Sequence, residues 1–411
     1  MTYRETSEAW LSIIGVGEDG WDGLNVEAKL LIVSADLLYG GVRHLSYVPA
    51  EITGPKQVPW PSPMAAAIAE IFAQHRGKRR VVVLGSGDPM LYGVGVTLSR
   101  DLPVSEFRVL PRVSAFSLAC ARMGWALVET TLVSLVSRPL EQLLLHLAPG
   151  QRLVLYSEDE TTPPKVAKLL TKSGYGSSTL HVLARLGGPS EEQISGIAAA
   201  WSTEPVDALN IIAFVCIADA ETRPLSRVPG LPDDAFETDG QLTKREVRAA
   251  TLASLAPLPG QTLWDVGAGT GTVGIEWMRV HSSCSCIAFE AKDARALRVG
   301  QNARNLGVPN LKVIQGVAPA TFEGLPSPHA IFIGGGIGVE GLFEACWKQL
   351  LPGGRLVANS VTVASEANLA AWHRLYGGNL TRIQVARAEL IGGTYAWRQM
   401  MPITQWTVIK P

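Results

Sequence analysis

Short apolar runs and longer segments of helical periodicity alternate along the first half of the chain. Runs rich in valine, leucine and isoleucine predict strands, and segments with apolar residues at three- and four-residue spacing predict helices. The strands predicted for this half are 10–15, 80–84, 107–110, 131–136, 152–156, 179–184 and 208–217. Helices are predicted between them, for example at 94–102, 114–123 and 164–173. This alternation is typical of an α/β fold.

The second half repeats the pattern with seven apolar runs, of which the last two form a hairpin-like pair. These runs are 261–266, 286–289, 311–314, 330–333, 355–358, 380–385 and 405–409. They predict a doubly wound, Rossmann-like sheet of seven strands with an antiparallel edge. Between the halves, residues 223–239 carry three prolines and no periodicity, which indicates a linker. We expect two domains, 1–225 and 238–411, joined by a linker at 226–237.

Composition and charge narrow the function classes. The chain is 47% hydrophobic and 18% charged, as in globular proteins. Its 36 basic and 37 acidic residues are balanced, and no basic run exceeds Lys78-Arg79-Arg80, which argues against nucleic acid as a partner. The N-terminus lacks an apolar signal core, and no run of about 18 apolar residues occurs anywhere. We therefore expect a soluble, cytoplasmic protein that does not contact the membrane.

Neither the cysteines nor the histidines form a recognisable metal or catalytic cluster. Five cysteines are scattered, and the close pair Cys284 and Cys286 is more typical of buried filler than of a zinc or redox site. The seven histidines are isolated in sequence, which favours surface or capping roles. We expect no metal.

The strongest signal is a glycine-rich turn between a predicted strand and a predicted helix of the second half. Gly267, Gly269 and Gly271 follow the strand-end residue Asp265, and Glu290 ends the next strand. Glycines at this spacing let the backbone approach a ligand closely, and helix N–H groups then point at it. An acid at Glu290 is placed to bind a ribose diol. The spacing by itself also allows a dinucleotide enzyme, or a tight turn without a ligand.

Two glycine-rich segments stand out in the first half. Gly15 and Gly17 begin a Gly-x-Gly-x-x-Gly match, and Asp36 follows at nearly the distance of a dinucleotide site. Trp21, close behind the glycines, favours an extended loop, so a pyrophosphate would lack its helix terminus. Residues 85–93 follow an apolar strand and are rich in turn-forming residues, and their alternative interpretation is a plain turn.

The second half resembles the class I S-adenosylmethionine methyltransferases. The resemblance rests on Gly-x-Gly-x-Gly behind a strand-end aspartate and on Leu350-Leu-Pro-Gly-Gly354 before the fifth strand. It implies that the cofactor is bound by Asp265, Gly267, Gly269, Thr270, Gly271 and Glu290. Val317 stands where an acid is common in that class, so an adenine contact would come from the backbone near Ala318.

A segment just before this domain's first strand has two interpretations. Thr243-Lys-Arg-Glu246 has the form of a capping box, in which Thr243 caps a helix and Glu246 returns the bond. The surrounding residues 242–248 also resemble a segment that lies over the cofactor in decarboxylating corrin-pathway methyltransferases. We therefore include Thr243 among the expected cofactor-binding residues.

The first half resembles the class III tetrapyrrole methyltransferases, in which the cofactor lies folded in a cleft between two α/β lobes. The resemblance is carried by the glycine segments above, by 111–115 and 122–125, and by Leu186-Gly187. It implies a two-lobed fold and cofactor contacts, mainly through backbone, at these positions: Gly15, Gly17, Gly87, Asp88, Tyr92, Ser114, Ala115 and Leu186. Arg112 departs from the pattern, since that class usually has glycine after Pro111.

The pairing of both classes in this order resembles the decarboxylating corrin-pathway methyltransferases of cobalamin biosynthesis. That resemblance implies two S-adenosylmethionine sites, methylation of two ring carbons of a reduced tetrapyrrole, loss of carbon dioxide from an acetate side chain, and a homo-oligomer. A bifunctional RNA methyltransferase and a nicotinamide oxidoreductase remain as alternatives. Sulfonium-to-carbon displacement depends chiefly on positioning and a water-poor cleft, which accounts for the lack of an acid–base cluster.

The carboxylates of such a substrate require arginines for bidentate capture. Residues 392–398 form a polar, aromatic stretch, and we predict Tyr395 and Arg398 there as catalytic residues. The alternative is that this stretch is a solvated hairpin. Arg43 and Arg112 are the corresponding candidates in the first half.

Overall fold

The computed structural model describes residues 9–201 and 205–411, which form two compact units. The first unit comprises the described part of Met1–Arg138 together with Ala148–Thr222. The second comprises Pro139–Leu147 and Arg223–Pro411, so a short segment from the middle of the first half packs with the second. The domain limits expected from sequence, 1–225 and 238–411, stay a prediction.

The first lobe of the first unit is built on a parallel five-stranded sheet. Its strands are β1 Leu11–Val16, β2 Leu37–Gly40, β3 Lys56–Pro59, β4 Val81–Ser86 and β5 Phe107–Leu110, in the order β3-β2-β4-β1-β5. The interior strand β1 is buried along its whole length, as expected where helices cover both faces of a parallel sheet. Its helices are α1 Val26–Ser34, α2 Val42–Leu45, α3 Met64–Glu70 and α4 Val94–Ser99.

The second lobe follows after α5 Ala115–Met123 and carries a mixed sheet. Its strands are β6 Thr130–Ser134, β7 Arg152–Tyr156, β8 Thr179–Ala184, β9 Glu192–Ile197 and β10 Asn210–Val215, in the order β6-β7-β10-β8-β9. Only β6 and β7 pair in parallel. Helix α6 Thr162–Lys172 begins with prolines in its first turn, where a missing N–H costs nothing.

Every strand predicted for the first half is present, with shifts of one or two residues at its ends. The sequence reasoning missed β2, β3 and β9. Strands β2 and β3 have only four residues each, and β3 and β9 are exposed edge strands. The exposed strands β3 and β9 lack the continuous apolar run that marks a buried strand, because their stability comes from pairing with distant segments. Strand β2 is buried at every position, but it is too short to stand out in the sequence.

The second unit contains nine strands and five α-helices in its described residues. The strands are β11 Thr262–Val266, β12 Ser285–Glu290, β13 Lys312–Gln315, β14 Ala330–Ile333, β15 Arg355–Ser360, β16 Asn379–Ile383, β17 Ala386–Ile391, β18 Thr394–Gln399 and β19 Ile403–Ile409. The helices are α7 Arg245–Leu255, α8 Thr272–Val280, α9 Asp293–Asn305, α10 Leu342–Gln349 and α11 Val363–Tyr376.

Seven of these strands form the predicted doubly wound sheet, in the order β13-β12-β11-β14-β15-β19-β16. The first five are parallel, and β19 runs antiparallel to both of its neighbours. The expectation of an antiparallel edge is confirmed. A buried cluster covers each face of the sheet; one contains Cys284 and Cys286, and the other contains Trp264 and Trp406. The carboxyl ends of β11, β12 and β14 therefore open at one shared edge.

The segment predicted as a linker packs closely on the second unit. Leu231 and Phe236 are buried in the core of that unit. The N–H groups of Gly230 and Leu231 donate to the buried carboxylate of Glu276, at 2.6 and 2.9 Å. This proline-containing segment is therefore ordered and leads directly into α7 instead of forming a flexible linker.

Strands β17 and β18 form a separate two-stranded hairpin outside the main sheet. Gly392 and Gly393 make its turn with φ of +60° and +90°, a left-handed conformation at both central positions that glycine adopts without strain. This hairpin agrees with the alternative interpretation of residues 392–398, a solvated hairpin. Among the residues that the structure describes, no helix has both the length and the apolar character that crossing a bilayer requires.

Candidate functional sites

The second unit has a cavity of about 720 Å³ at the carboxyl ends of β11, β12, β14 and β15. Seven residues predicted from the sequence line it: Thr243, Asp265, Gly267, Gly269, Thr270, Glu290 and Ala318. They come from the segment before α7, the end of β11 and the glycine turn behind it, the end of β12 and the loop after β13. The doubly wound topology brings these ends together, since parallel strands finish at the same edge of a sheet.

Asp265 supplies a buried carboxylate to the cavity. It is 1% exposed; its Oδ2 accepts from the N–H of Gly274 at 2.9 Å, whereas Oδ1 has no hydrogen-bond partner among the described residues. Burial raises the pKa of Asp265 to about 7, the hydrogen bond from Gly274 opposes this shift, and the nearby Glu290 carboxylate adds to it. An unpartnered oxygen on a buried acid is suited to receive a cationic donor from a ligand.

Glu290 ends β12 and is held by two backbone groups. Its Oε2 accepts from the N–H of Gly269 at 2.8 Å, and its Oε1 accepts from the N–H of Lys292 at 2.9 Å. The residue is 6% exposed. Each oxygen keeps a second lone pair, so the fixed carboxylate can still accept hydrogen bonds from two hydroxyls of a ligand.

The three glycines of the turn have different roles. Gly267 has φ of +72°, and a Cβ there would lie 2.9 Å from the Cα of Gly335. Gly269 has φ of +59°, yet a Cβ there would meet only a carbonyl oxygen at 3.9 Å, so the space beside it is open. Gly271, also predicted to bind the cofactor, is not among the lining residues; it caps α8, and a Cβ there would lie 2.7 Å from Val299. Gly271 therefore serves helix packing.

The predicted capping box at Thr243 was wrong. Helix α7 begins at Arg245, and its N-cap, Lys244, makes no side-chain capping bond. Glu246 binds Arg387 at 2.6 Å and does not return to the cap, while the carbonyl oxygen of Thr243 accepts from the buried guanidinium of Arg248. A charge-assisted pair outcompetes the weaker capping bond.

The first unit has a second cavity, of about 470 Å³, lined by residues of both lobes. The predicted residues Gly17, Gly87, Asp88, Tyr92, Ala115 and Leu186 line it, and Gly15 and Ser114 do not. A Cβ at Gly15 would lie 1.9 Å from the carbonyl oxygen of Gly87, so the loop after β4 can lie against the end of β1 only because residue 15 is glycine. Ser114 caps α5, and its Oγ accepts from the N–H of Ser117 at 3.1 Å.

A loop follows Gly17 as predicted, but it is a series of turns and is not extended: the N–H of Gly20 donates to the carbonyl oxygen of Gly17 at 3.1 Å, and the N–H of Leu24 donates to that of Trp21 at 3.1 Å. Helix α1 starts only at Val26, behind the N-cap Asn25, so no helix N-terminus directly follows these glycines. Asp36 does not line the cavity; its carboxylate accepts from the N–H of Arg80 at 2.8 Å. Both features argue against a pyrophosphate site here.

Several polar residues of this cavity were missed by the sequence reasoning. Ser157 and Asn210 line it, each 9% exposed, and the Oγ of Ser157 and the Oδ1 of Asn210 have no partner among the described residues. His44 also lines it, and its Nε2 lies 3.0 Å from the Oγ of Ser86. Burial and the adjacent positive charge of Arg43 lower the pKa of His44 to about 4. No local motif marks these residues, because strands of different lobes bring them together.

Arg43 and Arg112, predicted to capture substrate carboxylates, already hold carboxylates of the protein. Arg43 pairs with Glu18, which also accepts from the Tyr47 hydroxyl at 2.7 Å. The Nη2 of Arg112 lies 2.5 Å from the Oδ2 of Asp19, and the backbone N–H of Arg112 donates to Gly87 at 3.1 Å. Arg112 therefore fits its loop without the usual glycine.

Tyr395 and Arg398, the predicted catalytic residues, lie on β18 and outside the cavity lining. Tyr395 is 76% exposed. The Nη1 of Arg398 lies 2.9 Å from the Oε2 of Glu389, across the hairpin. Met400 and Met401, which follow directly in sequence, do line the cavity. The base of the hairpin thus belongs to the cavity wall.

Two α/β units, each with a cavity at its glycine turns, fit a tandem methyltransferase, and the matches to two methyltransferase families show that the chain is one. The sequence matches the family described as Tetrapyrrole (Corrin/Porphyrin) Methylases over residues 11–199, and the Precorrin methyltransferase domain over 234–410. It is 48% identical over 401 residues to precorrin-6Y C(5,15)-methyltransferase [decarboxylating] of Sinorhizobium sp, covering 98% of this chain and 96% of the relative. The chain belongs to the precorrin-6Y C(5,15)-methyltransferase (decarboxylating) family.

Other similar proteins carry the same name. The enzyme of Mycobacterium tuberculosis (strain CDC 1551 / Oshkosh) is 41% identical, covering 97% of this chain and 99% of the relative. A solved structure of the C-terminal domain of precorrin-6Y C5,15-methyltransferase from Rhodobacter capsulatus is 42% identical and covers 45% of this chain and 100% of that chain, with a TM-score of 0.43.

S-adenosylmethionine is the cofactor expected for this family, and both cavities contain buried polar groups without partners that a bound ligand could satisfy. In the second unit, the unpartnered oxygen of Asp265 suits the ammonium group of the cofactor, and Glu290 suits its ribose hydroxyls. The open space beside Gly269 leaves room for the ligand. In the first unit, the Oγ of Ser157 and the Oδ1 of Asn210 have no hydrogen-bond partner among the described residues and could accept hydrogen bonds from a ligand. Buried polar atoms without partners are costly unless a ligand or water satisfies them.

Proposed function

We propose that this chain methylates precorrin-6Y at ring carbons 5 and 15 and removes carbon dioxide from the acetate of ring C, giving precorrin-8X in cobalamin biosynthesis. The observation that carries the proposal is the 48% identity over 98% of the chain, which includes both methyltransferase families in order. The proposal includes one S-adenosylmethionine site in each unit, and the two separate cavities support it.

S-adenosylmethionine supplies an electrophilic methyl group when it is bound. Glu290 and Asp265 would fix the two polar ends of the molecule, so that the methyl group is aimed by position and not by acid–base chemistry. Apolar residues line the cavity wall, among them Phe332 and Ile403, and they would keep water from the reacting carbon. A nucleophilic ring carbon can then attack along a defined line.

We assign decarboxylation to the second unit, with Arg398 and Tyr395 acting from the hairpin. Strand β18 runs into Met400 and Met401 of the cavity wall, which supports a substrate placed beside it. Arg398 would exchange Glu389 for a substrate carboxylate and leave the departing acetate less solvated. The acetate C–C bond then breaks, carbon dioxide leaves, and the electron pair passes to the ring, to which Tyr395 donates a proton.

Mass spectrometry of precorrin-6Y incubated with the full chain and S-adenosylmethionine tests the function. The product is expected to gain two methyl groups and to lose one carbon dioxide. A product that has gained methyl groups but kept every carboxylate would overturn the decarboxylation. An unchanged mass, with the substrate shown to be intact, would overturn the function as a whole.

Arg398→Ala is expected to slow carbon dioxide loss roughly ten- to a hundredfold, since a charge-assisted hydrogen bond is worth about 1.5–3 kcal/mol. The first methylation should continue at the wild-type rate. Arg374→Ala is the matched control, because Arg374 is an exposed arginine of the same unit, at the end of α11. Decarboxylation by Arg398→Ala at the control's rate would remove this residue from the mechanism.

Cofactor affinity of the second unit is expected to rise with pH. Asp265, whose pKa is about 7, is neutral below that value and charged above it. The charged form attracts the ammonium group, so affinity should strengthen about tenfold between about pH 6 and about pH 8. His44 in the other cavity, with a pKa of about 4, does not titrate in this window.

Calorimetry with S-adenosylhomocysteine on the full chain measures this pH effect, with Asp265→Asn as the control. The amide cannot ionise, so its affinity should be nearly flat over the same window. A wild-type affinity that is as independent of pH as that of Asp265→Asn would show that Asp265 does not contact the ammonium group.

A further inference from the structure

Among the described residues, Arg43 is the arginine that lines the cavity of the first unit, and it already has a carboxylate partner within the protein. Arg43 pairs with Glu18 and also donates to the Oγ of Ser86 at 3.0 Å. Arg112, nearby, pairs with Asp19. A substrate with several carboxylates would have to displace these internal partners, unless a cation without a carboxylate partner lies close by.

Arg138 is such a cation. Its guanidinium carbon lies 4.7 Å from the centroid of the Tyr92 ring, and Tyr92 lines the cavity. The residue is exposed, and it forms no ion pair with any carboxylate of the described residues. Val136, two positions earlier, also lines the cavity. Arg138 therefore stands at the mouth of the cavity, resting on an aromatic ring.

The backbone is strained at Tyr92 and at Ser137, the residue that precedes Arg138. Tyr92 has φ of +57° and Ser137 has φ of +52°, left-handed values that residues with a side chain rarely adopt. The N–H of Ser137 donates to the Oε1 of Glu158 at 3.3 Å, and the N–H of Arg138 donates to the carbonyl oxygen of Leu135 at 3.2 Å. Strained residues of this kind persist where the surroundings hold them and cluster at ligand sites.

We propose that Arg138 binds a side-chain carboxylate of the tetrapyrrole at the mouth of this cavity, and that the Tyr92 ring holds it ready. This inference rests on the proposed function for the class of substrate. A cation resting on an exposed ring is weakly held, whereas a carboxylate offers the guanidinium two parallel charge-assisted hydrogen bonds. The carboxylate would therefore draw Arg138 off the ring and leave that face of Tyr92 free to contact the conjugated macrocycle.

Steady-state kinetics of the full chain with precorrin-6Y tests the proposal. Arg138→Ala is expected to raise the KM for the tetrapyrrole roughly tenfold while kcat and the affinity for S-adenosylhomocysteine stay at wild-type values. Arg138→Lys keeps the charge but loses the planar fork, so its KM should fall between the two. Arg100→Ala removes the same charge from an exposed position at the end of α4, outside the cavity lining, and should leave the KM unchanged.

A binding assay separates this inference from the proposed function. Fluorescence titration with uroporphyrin, a tetrapyrrole that carries a carboxylate on every side chain, and with its methyl ester needs no turnover. The wild type is expected to prefer the acid to the ester, and Arg138→Ala should lose roughly tenfold of that preference. Acid binding that is equal in the wild type and in Arg138→Ala would overturn the role of Arg138. A wild type that shows the preference but does not transform precorrin-6Y would overturn the function and leave the carboxylate site in place.

Discussion

Replacing Arg248 by methionine is expected to lower the free energy of unfolding by about 3–5 kcal/mol, because it leaves a buried charge without its partner. The side chain of Arg248 is fully buried, and its Nε lies 2.5 Å from the Oε1 of Glu276, which is itself 2% exposed. The guanidinium also donates to the carbonyl oxygens of Leu231 and Thr243. Arg248 thus connects the predicted linker segment 226–237, helix α8 and the segment before α7 that lines the cavity.

Urea unfolding of the full chain, followed by tryptophan fluorescence, measures this loss. Arg382→Ala is the matched control, since it breaks an exposed pair with Glu366 in the same unit and should cost less than about 1 kcal/mol. A loss for Arg248→Met no larger than that of the control would mean that the buried pair adds nothing. Cofactor affinity in the second unit should fall as well, because Thr243 loses the donor that holds its carbonyl.

Glu290→Ala is expected to weaken cofactor binding in the second unit about ten- to a hundredfold, since it removes charge-assisted bonds worth roughly 1.5–3 kcal/mol. Gly269→Val should weaken it further, for two reasons. Valine is strained at a φ of +59°, and its side chain would enter the open space beside Gly269.

Calorimetry of the full chain with S-adenosylhomocysteine reads both variants and tests the two-site proposal. The wild type should show two binding events, and each variant should weaken one and keep the other. Glu323→Ala, which removes an exposed acid of the same unit, is the control. A single binding event in the wild type would overturn the second site, and an unchanged affinity in Glu290→Ala would show that the cofactor lies elsewhere.

The local sequence was sufficient to predict the seven-stranded sheet and most residues at the edge where its ligand is expected to bind. Asp265 and Glu290 end apolar strands, and the glycines of the turn follow the first of these strands directly, so their placement needs only the order of strand, turn and helix. The two-lobed first unit followed from its resemblance to a known class. The predicted capping box at Thr243 was wrong because Glu246 pairs with Arg387 instead, and Arg387 lies 141 residues away in sequence.

The sequence by itself determined the two classes of fold, the order of the units and the residues that meet at the glycine turn of β11, because these features depend on short-range periodicity and turn chemistry. Only the tertiary structure decided which arginines are paired with carboxylates of the protein and which are not. Arg43, Arg112 and Arg138 look alike in the sequence, yet two of them hold carboxylates and one rests on Tyr92. The physical reason is that an ion pair or a ring contact forms between segments that folding brings together, and no local pattern records which segments will meet.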